Sequence, residues 1–138
     1  MRGYRFGAAD PLTPDGWLRT ADTGRLDADG RLHVEGRTDD VVITGGEKVW
    51  PHAVESALLE HPRVREVAAA GVPDPEWGER VTVWVVPVDA GDPPTLEDLR
   101  AFVADGLPAY AAPRKLVLVE GLPRTASGKV RRADLPRD

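Results

Sequence analysis

The chain has 138 residues, 41% of them hydrophobic and 30% charged, an ordinary globular composition at a length that suits one domain, or one plus part of another. It has no cysteine, which excludes disulfides and thiolate metal sites, and its separated His33, His52 and His61 argue against a metal centre. The net charge of −5 is uneven: residues 124–138 hold five basic and two acidic side chains, a local +3 against −8 elsewhere, which speaks against a broad nucleic-acid face but suits a small anion. The opening "MRGYRFG" lacks the apolar core of a signal peptide, and no run approaches 18 apolar residues. The expectation is a cytoplasmic chain without membrane contact.

In chain order, residues 1–16 are broken by Gly3, Gly7, Pro11, Pro14 and Gly16 and read as irregular. "TGRLDADGRLHVEGR" reads as a β-hairpin turning at Asp29-Gly30, and "VVITGGEKVW" as a second one turning at Gly45-Gly46. "PHAVESALLEHP" reads as a helix, with Pro51 in its first turn and Val54, Ala57 and Leu58 on one face. "VREVAAAGV" and "RVTVWVVPV" are strands. The second carries Val81, Val83 and Val85 on one side and Thr82, Trp84 and Val86 on the other, so both faces are covered. "TLEDLRAFVADGL" is a helix opened by a capping box between Thr95 and Asp98, with Leu96, Leu99, Phe102, Val103 and Leu107 inward. "KLVLVE" is a last strand. After Pro123 no packing pattern is visible, and an exposed, poorly ordered loop is expected.

The order from residue 40 predicts an α+β fold, a small mixed sheet with helices on one side. The first hairpin has too little apolar surface for a core of its own. A boundary is expected among the charged residues near Arg37 to Asp40, dividing the chain into 1–38 and 39–138.

Four stretches carry chemistry. "LPRTASGKVRR", residues 122–132, sets Lys129 behind a glycine. A phosphate-binding P-loop would need glycine at position 123 and Ser or Thr at 130, where Pro123 and Val130 stand. Lys129 is then either a solvated charge near a chain end or a mobile cation that reaches into a site built elsewhere. "GWLRTAD" ends in Asp22, a carboxylate able to accept from two ribose hydroxyls. "GRTDDVVITGGEKV" combines Arg37, Asp39, the paired glycines and Lys48. It reads as a linker into a hairpin, or as a hinge and a loop without side chains. "LPAYAAPRKL" carries little chemistry by itself.

In order and spacing these stretches resemble the superfamily of acyl-adenylate-forming enzymes: acyl-CoA synthetases, adenylation domains and luciferases. The family's C-terminal motifs include a block ending in (R/K)-T-G-D, then G-R-x-D-x-x-(I/V)-x-x-x-G, L-P-x-Y-x-x-P and L-P-x-T-x-x-G-K. Here they stand as "LRTAD", "GRTDDVVITGG", "LPAYAAP" and "LPRTASGK", with Ala21 in place of the family glycine. The resemblance covers nearly the whole chain. It implies that Asp22 holds the ribose hydroxyls of ATP and of the acyl-adenylate, with Arg37 assisting at the nucleotide. Asp39 would be the hinge of a mobile lid, and Lys129 the adenylation lysine. Gly45, Gly46 and Lys48 would form the loop along the pantetheine arm of CoA. Residues 1–38 would then be the end of a large N-terminal adenylation domain.

ATP and CoA are the implied substrates, with a small carboxylic acid. Mg2+ is expected with ATP, but with no ligands in this chain. The family's phosphate loop, adenine contacts and acid pocket have no counterpart in the sequence, so the lid is expected to be inactive alone and to need that large domain as partner. "TGGEKVWP" and "AAPRKL" favour a CoA ligase, with o-succinylbenzoate of menaquinone synthesis as the acid. A free-standing lid or binding module acting in trans, and an adenylation domain serving a carrier protein, are the alternatives. No nucleic-acid partner is expected.

Overall fold

The computed structural model describes residues 12–18 and 20–136. The irregular reading of residues 1–11 and the tail charges Arg137 and Asp138 lie outside the described residues. The chain divides into two compact units, one ending at Asp39 and one running from Asp40.

In the first unit, strands β1 (Asp22–Leu26) and β2 (Leu32–Arg37) form the expected antiparallel hairpin. Its turn is organised by Asp27, which the sequence reading did not single out. The Asp27 Oδ1 atom accepts from the backbone N–H groups of Asp29 and Arg31 at 3.0 and 2.9 Å, a local side-chain turn that aspartate favours. His33 Nε2 lies 2.7 Å from Asp27 Oδ2. Gly30 takes the positive φ (78°) that the turn requires. Leu26, Leu32 and Val34 are exposed, as expected of a hairpin without its own core. A 3-10 turn, Thr38–Asp40, follows.

The second unit is a five-stranded mixed sheet with two helices. Strands β3 (Val42–Thr44) and β4 (Glu47–Val49) form the glycine hairpin. Helix α1 (Pro51–Leu59) leads to the long hairpin β5 (Val64–Asp74) and β6 (Gly78–Pro87). Helix α2 (Leu96–Ala104) and strand β7 (Lys115–Leu118) complete it. The path is β4-β3-β6-β5, with β7 pairing parallel to β6 and every other pair antiparallel. The capping box of α2 is present in both directions: Asp98 N–H donates to Thr95 Oγ1 at 3.2 Å, and Thr95 N–H to Asp98 Oδ2 at 2.9 Å. The Thr95 hydroxyl, which donates to Asp98 Oδ2 at 2.7 Å, the Thr95 N–H and the Arg63 guanidinium hold the Asp98 carboxyl below its ordinary range.

The alternation in β6 divides its side chains as the pattern requires. Val81, Val83 and Val85 meet Val54 and Leu58 of α1 and Leu99 and Val103 of α2 in one core. Trp84 and Val86 face the other side. Among the described residues no helix covers that second face. It is covered by residues 122–136, and here the structure corrects the expectation of a loose tail. Leu122 and Leu135 are buried against Trp84, Val86, Ala68 and Val72, with Val130 packed alongside. The Trp84 indole N–H donates to the Pro136 carbonyl at 2.7 Å. A sheet apolar on both faces must be covered twice. With both helices on one side, the tail supplies the second cover. Among the described residues no helix is long and apolar enough to cross a membrane.

Candidate functional site

The residues singled out from the sequence fall into three groups. In the first unit, Asp22 and Arg37 are register partners at the open end of the β1–β2 hairpin. The Arg37 guanidinium stands between two carboxylates, 4.0 Å from Asp22 Oδ1 and 3.2 Å from Asp39 Oδ2. All three are at least half exposed or nearly so, so the pairs themselves contribute little stability. Their arrangement instead presents carboxylate oxygens and a guanidinium side by side, which suits hydroxyl and phosphate recognition. A slip in register between Thr23 and Gly24 marks the strand beside Asp22.

The second group is the β3–β4 turn. Gly45 and Gly46 have φ of 58° and 85°, the consecutive left-handed pair of a tight hairpin turn. The two are not equivalent. A Cβ on Gly45 would lie 3.0 Å from the Trp77 ring, whereas one on Gly46 would meet nothing within 4 Å. Gly46 is thus the open position, and Gly45 is tied down, its N–H donating to the Trp77 carbonyl at 2.9 Å. The hairpin hangs on the sheet by few bonds: the Thr44–Gly78 pairing, that Gly45 bond, and Ile43 N–H donating to Glu79 Oε2 at 2.8 Å. Lys48 is exposed on β4 and borders a cavity of about 130 Å³ also lined by Trp50, Ala53, Leu107, Pro108 and Tyr110. The "LPAYAAP" stretch, chemically mute in the sequence, is therefore a wall beside the glycine hairpin. Arg114, one residue past it, stacks its guanidinium 3.6 Å over the Trp77 ring.

The third group is Lys129. Its segment is a small hairpin rather than a frayed end. Arg124 and Val130 form an antiparallel bridge, Thr125 N–H donates to the Lys129 carbonyl at 2.8 Å, and Arg131 N–H to the Pro123 carbonyl at 2.8 Å. Gly128 supplies the positive φ (85°), and Thr125 Oγ1 accepts from the Lys129 N–H at 3.1 Å. The tip is braced from both sides: Arg124 pairs with Glu66 on β5, and Arg132 pairs with Glu55 on α1. Lys129 itself is exposed, and among the described residues no acceptor pairs with its ammonium. A free ammonium at the tip of an ordered turn can be presented to an anion without first breaking an ion pair.

No hydrogen bond or ion pair joins Lys129 to Gly45, Gly46 or Lys48 among the described residues. The residues that sequence reasoning missed are Trp77, Arg114, Glu55 and Arg132. The arginines were visible only as charge, and their partners lie far away in sequence. Among the described residues no group of three or more histidine or carboxylate side chains is placed to hold a metal ion.

A small mixed sheet with an exposed glycine hairpin and a lysine-tipped terminal hairpin defines a recognised class. The family model of the AMP-binding enzyme C-terminal domain matches residues 53–129, and the chain belongs to that family. Over 99% of its length it is 47% identical to a probable 2-succinylbenzoate–CoA ligase of Mycobacterium tuberculosis. It superposes on the o-succinylbenzoate CoA synthetase of Bacillus subtilis, solved in complex with its acyl-adenylate intermediate, with a TM-score of 0.88 and 36% identity over 98% of the chain. An amide bond synthetase of Marinactinospora thermotolerans matches 89% of it at 43% identity and a TM-score of 0.78. The chain spans 36% of the M. tuberculosis relative and 28% and 25% of the two solved chains.

Proposed function

We propose that the chain is the lid portion of an ATP-dependent, AMP-forming acid–CoA ligase, that it acts with a large adenylation domain, and that the acid is o-succinylbenzoate. The observation that carries this reading is the unpaired ammonium of Lys129 at the tip of a braced hairpin, at the end of the family-matched region. The acid rests on the 2-succinylbenzoate and o-succinylbenzoate relatives. ATP and CoA, both soluble, point to the cytoplasm.

In the first half-reaction a carboxylate oxygen of the acid bonds to the α-phosphorus of ATP, and the bond to pyrophosphate breaks. Anion meets anion in that step. The Lys129 ammonium offsets the charge that gathers on the phosphate oxygens, a contribution on the order of 10²–10³ in rate for one fixed donor. Asp22 accepts from the ribose hydroxyls, and Arg37 keeps that carboxylate company at the nucleotide. In the second half-reaction the sulfur of CoA bonds to the acyl carbon, its proton is given up, and AMP leaves. The lid turns about Asp39, withdraws Lys129 and brings in the Gly45-Gly46 turn. Gly46, with nothing near its absent Cβ, leaves room for the pantetheine arm, and Lys48 stands beside it. Residues 1–38 form the end of the large domain and 39–138 the lid. Mg2+ accompanies ATP outside this chain.

The amide bond synthetase among the relatives supports a second reading at one point, the acceptor. In that reading an amine takes the place of CoA.

The test grafts this chain onto the large domain of the M. tuberculosis relative. The graft should catalyse ATP–pyrophosphate exchange with o-succinylbenzoate. Lys129→Ala should lower exchange on the order of 10²–10³-fold and leave thioester formation from supplied acyl-adenylate within about twofold. Gly46→Leu should do the reverse. Equal damage to both half-reactions by both variants refutes the two roles. The acid is tested on the enzyme from the native source, where faster turnover of another acid overturns o-succinylbenzoate. Amide formation from a supplied amine, outpacing CoA thioester formation, favours the second reading.

A further inference from the structure

Three residues beyond Lys129, the Arg132 side chain is the most connected polar group of the second unit. Its Nη2 reaches both carboxylate oxygens of Glu55 on α1, at 2.8 and 2.9 Å. Its Nε donates to the Ala69 carbonyl on β5 at 3.1 Å, and its Nη1 to Asp40 Oδ2 at 3.4 Å. Glu55 Oε1 in turn accepts from the Ala69 N–H at 2.8 Å. Four of the five guanidinium N–H donors are thereby committed, in a fork geometry that lysine cannot copy. The Arg132 and Glu55 side chains are 29% and 18% exposed, enough covered that the pair resists solvent screening better than a surface pair does.

The position of this knot gives it a purpose. The backbone bonds of Lys129, both to Thr125, close its turn but do not tie it to the sheet. The outgoing arm of its hairpin runs directly into Arg132, and Arg132 is bound to three elements at once: the helix, the central sheet and the first residue of the unit. We propose that Arg132 is the positioning residue of the adenylation half-reaction. It sets the height and orientation of the Lys129 turn on the sheet, and through Asp40 it ties that turn to the segment beside the proposed hinge Asp39. Glu55 is its anchor. The proposal rests on the assignment of Lys129 made above. It predicts a deficit confined to one half-reaction, because the glycine hairpin hangs on Gly78, Trp77 and Glu79 and not on this knot.

The test uses the assembled enzyme with Lys129→Ala, Arg132→Gln, Arg132→Lys, Glu55→Gln and the double variant Arg132→Gln/Glu55→Gln. Displacing a reacting group by about an ångström lowers a rate on the order of 10²-fold. Arg132→Gln should therefore lower kcat for ATP–pyrophosphate exchange by about 10- to 100-fold, with KM for the acid unchanged. Thioester formation from supplied acyl-adenylate should stay within about twofold. Arg132→Lys should recover part of the loss, and the double variant should be no worse than Arg132→Gln alone, as expected of two residues acting as one unit. Normal exchange in Arg132→Gln, with Lys129→Ala inactive, overturns the proposal and leaves the lysine assignment standing. Normal exchange in Lys129→Ala overturns the lysine assignment. Equal losses in both half-reactions assign Arg132 to the fold in general and also overturn the proposal. If Arg132→Gln does not accumulate as folded protein, Glu55→Gln is read by the same criteria.

Discussion

The two faces of the central sheet are covered in different ways. On one side two short helices deliver Val54, Leu58, Leu99 and Val103 onto Val81, Val83 and Val85. On the other side an irregular strap, residues 122–136, delivers Leu122, Val130 and Leu135 onto Trp84 and Val86. The helices satisfy their backbone hydrogen bonds within themselves, although at nine residues each they owe their stability to packing on the sheet. The strap has little internal hydrogen bonding beyond one hairpin and two turns, and is held by distant partners: Pro136 on Trp84, Arg124 on Glu66, Arg132 on Glu55. A segment of this kind keeps its place only while those distant partners hold. Lys129 sits on the strap, and the helices contribute the Glu55 anchor rather than a reacting group.

That contrast can be broken from either side. The largest expected effect is on the helical face. Leu58→Ala or Leu99→Ala, at positions with no exposure, should each lower unfolding free energy by about 2–5 kcal/mol. Denaturant titration measures this, and adenylation per folded molecule should be unchanged. Leu135→Ala on the strap should cost less, about 2–3 kcal/mol, because the strap can shift where the helix cannot. Here exchange activity should fall along with stability. A strap variant that loses stability but keeps full adenylation would show that the cover and the lysine are independent. Trp84→Phe removes the indole N–H that holds Pro136 and should cost about 1–2 kcal/mol, with the end of the strap gaining hydrogen exchange first.

The smallest effect concerns pH. His61 is buried at the end of α1, edge-on to Phe102 with ring centroids 4.9 Å apart, and its Nδ1 accepts from Arg63 N–H at 3.2 Å. Burial, with the neighbouring Arg63 charge, lowers its pKa below the ordinary 6.5, against a partial opposing pull from Asp98. The unfolded chain then binds the proton that the folded chain refuses. Stability is full above about pH 6.5 and falls as the pH drops from there towards the folded pKa. Unfolding curves from pH 7.5 to 5 should show this slope, and His61→Gln should flatten it relative to the parent. An unchanged slope in the variant would place the titration elsewhere.

Much of the fold was legible because its signals are local. The Gly45-Gly46 turn, the capping box of Thr95 and Asp98, Pro51 at the start of α1 and the alternation in β6 each decide a backbone state within a few residues. The proposed site residues were picked out by another route, since their motifs stand at family spacing. What the sequence did not disclose was the ordered strap. Trp84 and Pro136 are 52 residues apart, and Arg132 and Glu55 are 77 apart. No periodicity links such partners. Likewise Gly45 and Gly46 look equivalent in sequence, and only the Trp77 ring, arriving from the β5–β6 turn, makes one closed and the other open.

The sequence by itself determined which segments become strands, helices and turns, which family the chain joins, and that Lys129 follows a glycine in a basic stretch. These depend on conformational preference and on residue type. Tertiary structure alone decided that the terminal stretch is a cover rather than a tail. The second face of the sheet carries Trp84 and Val86, both helices are committed to the first, and residues 122–136 bury that apolar surface. The lysine comes to lie on a braced turn because the apolar residues around it have that surface to fill.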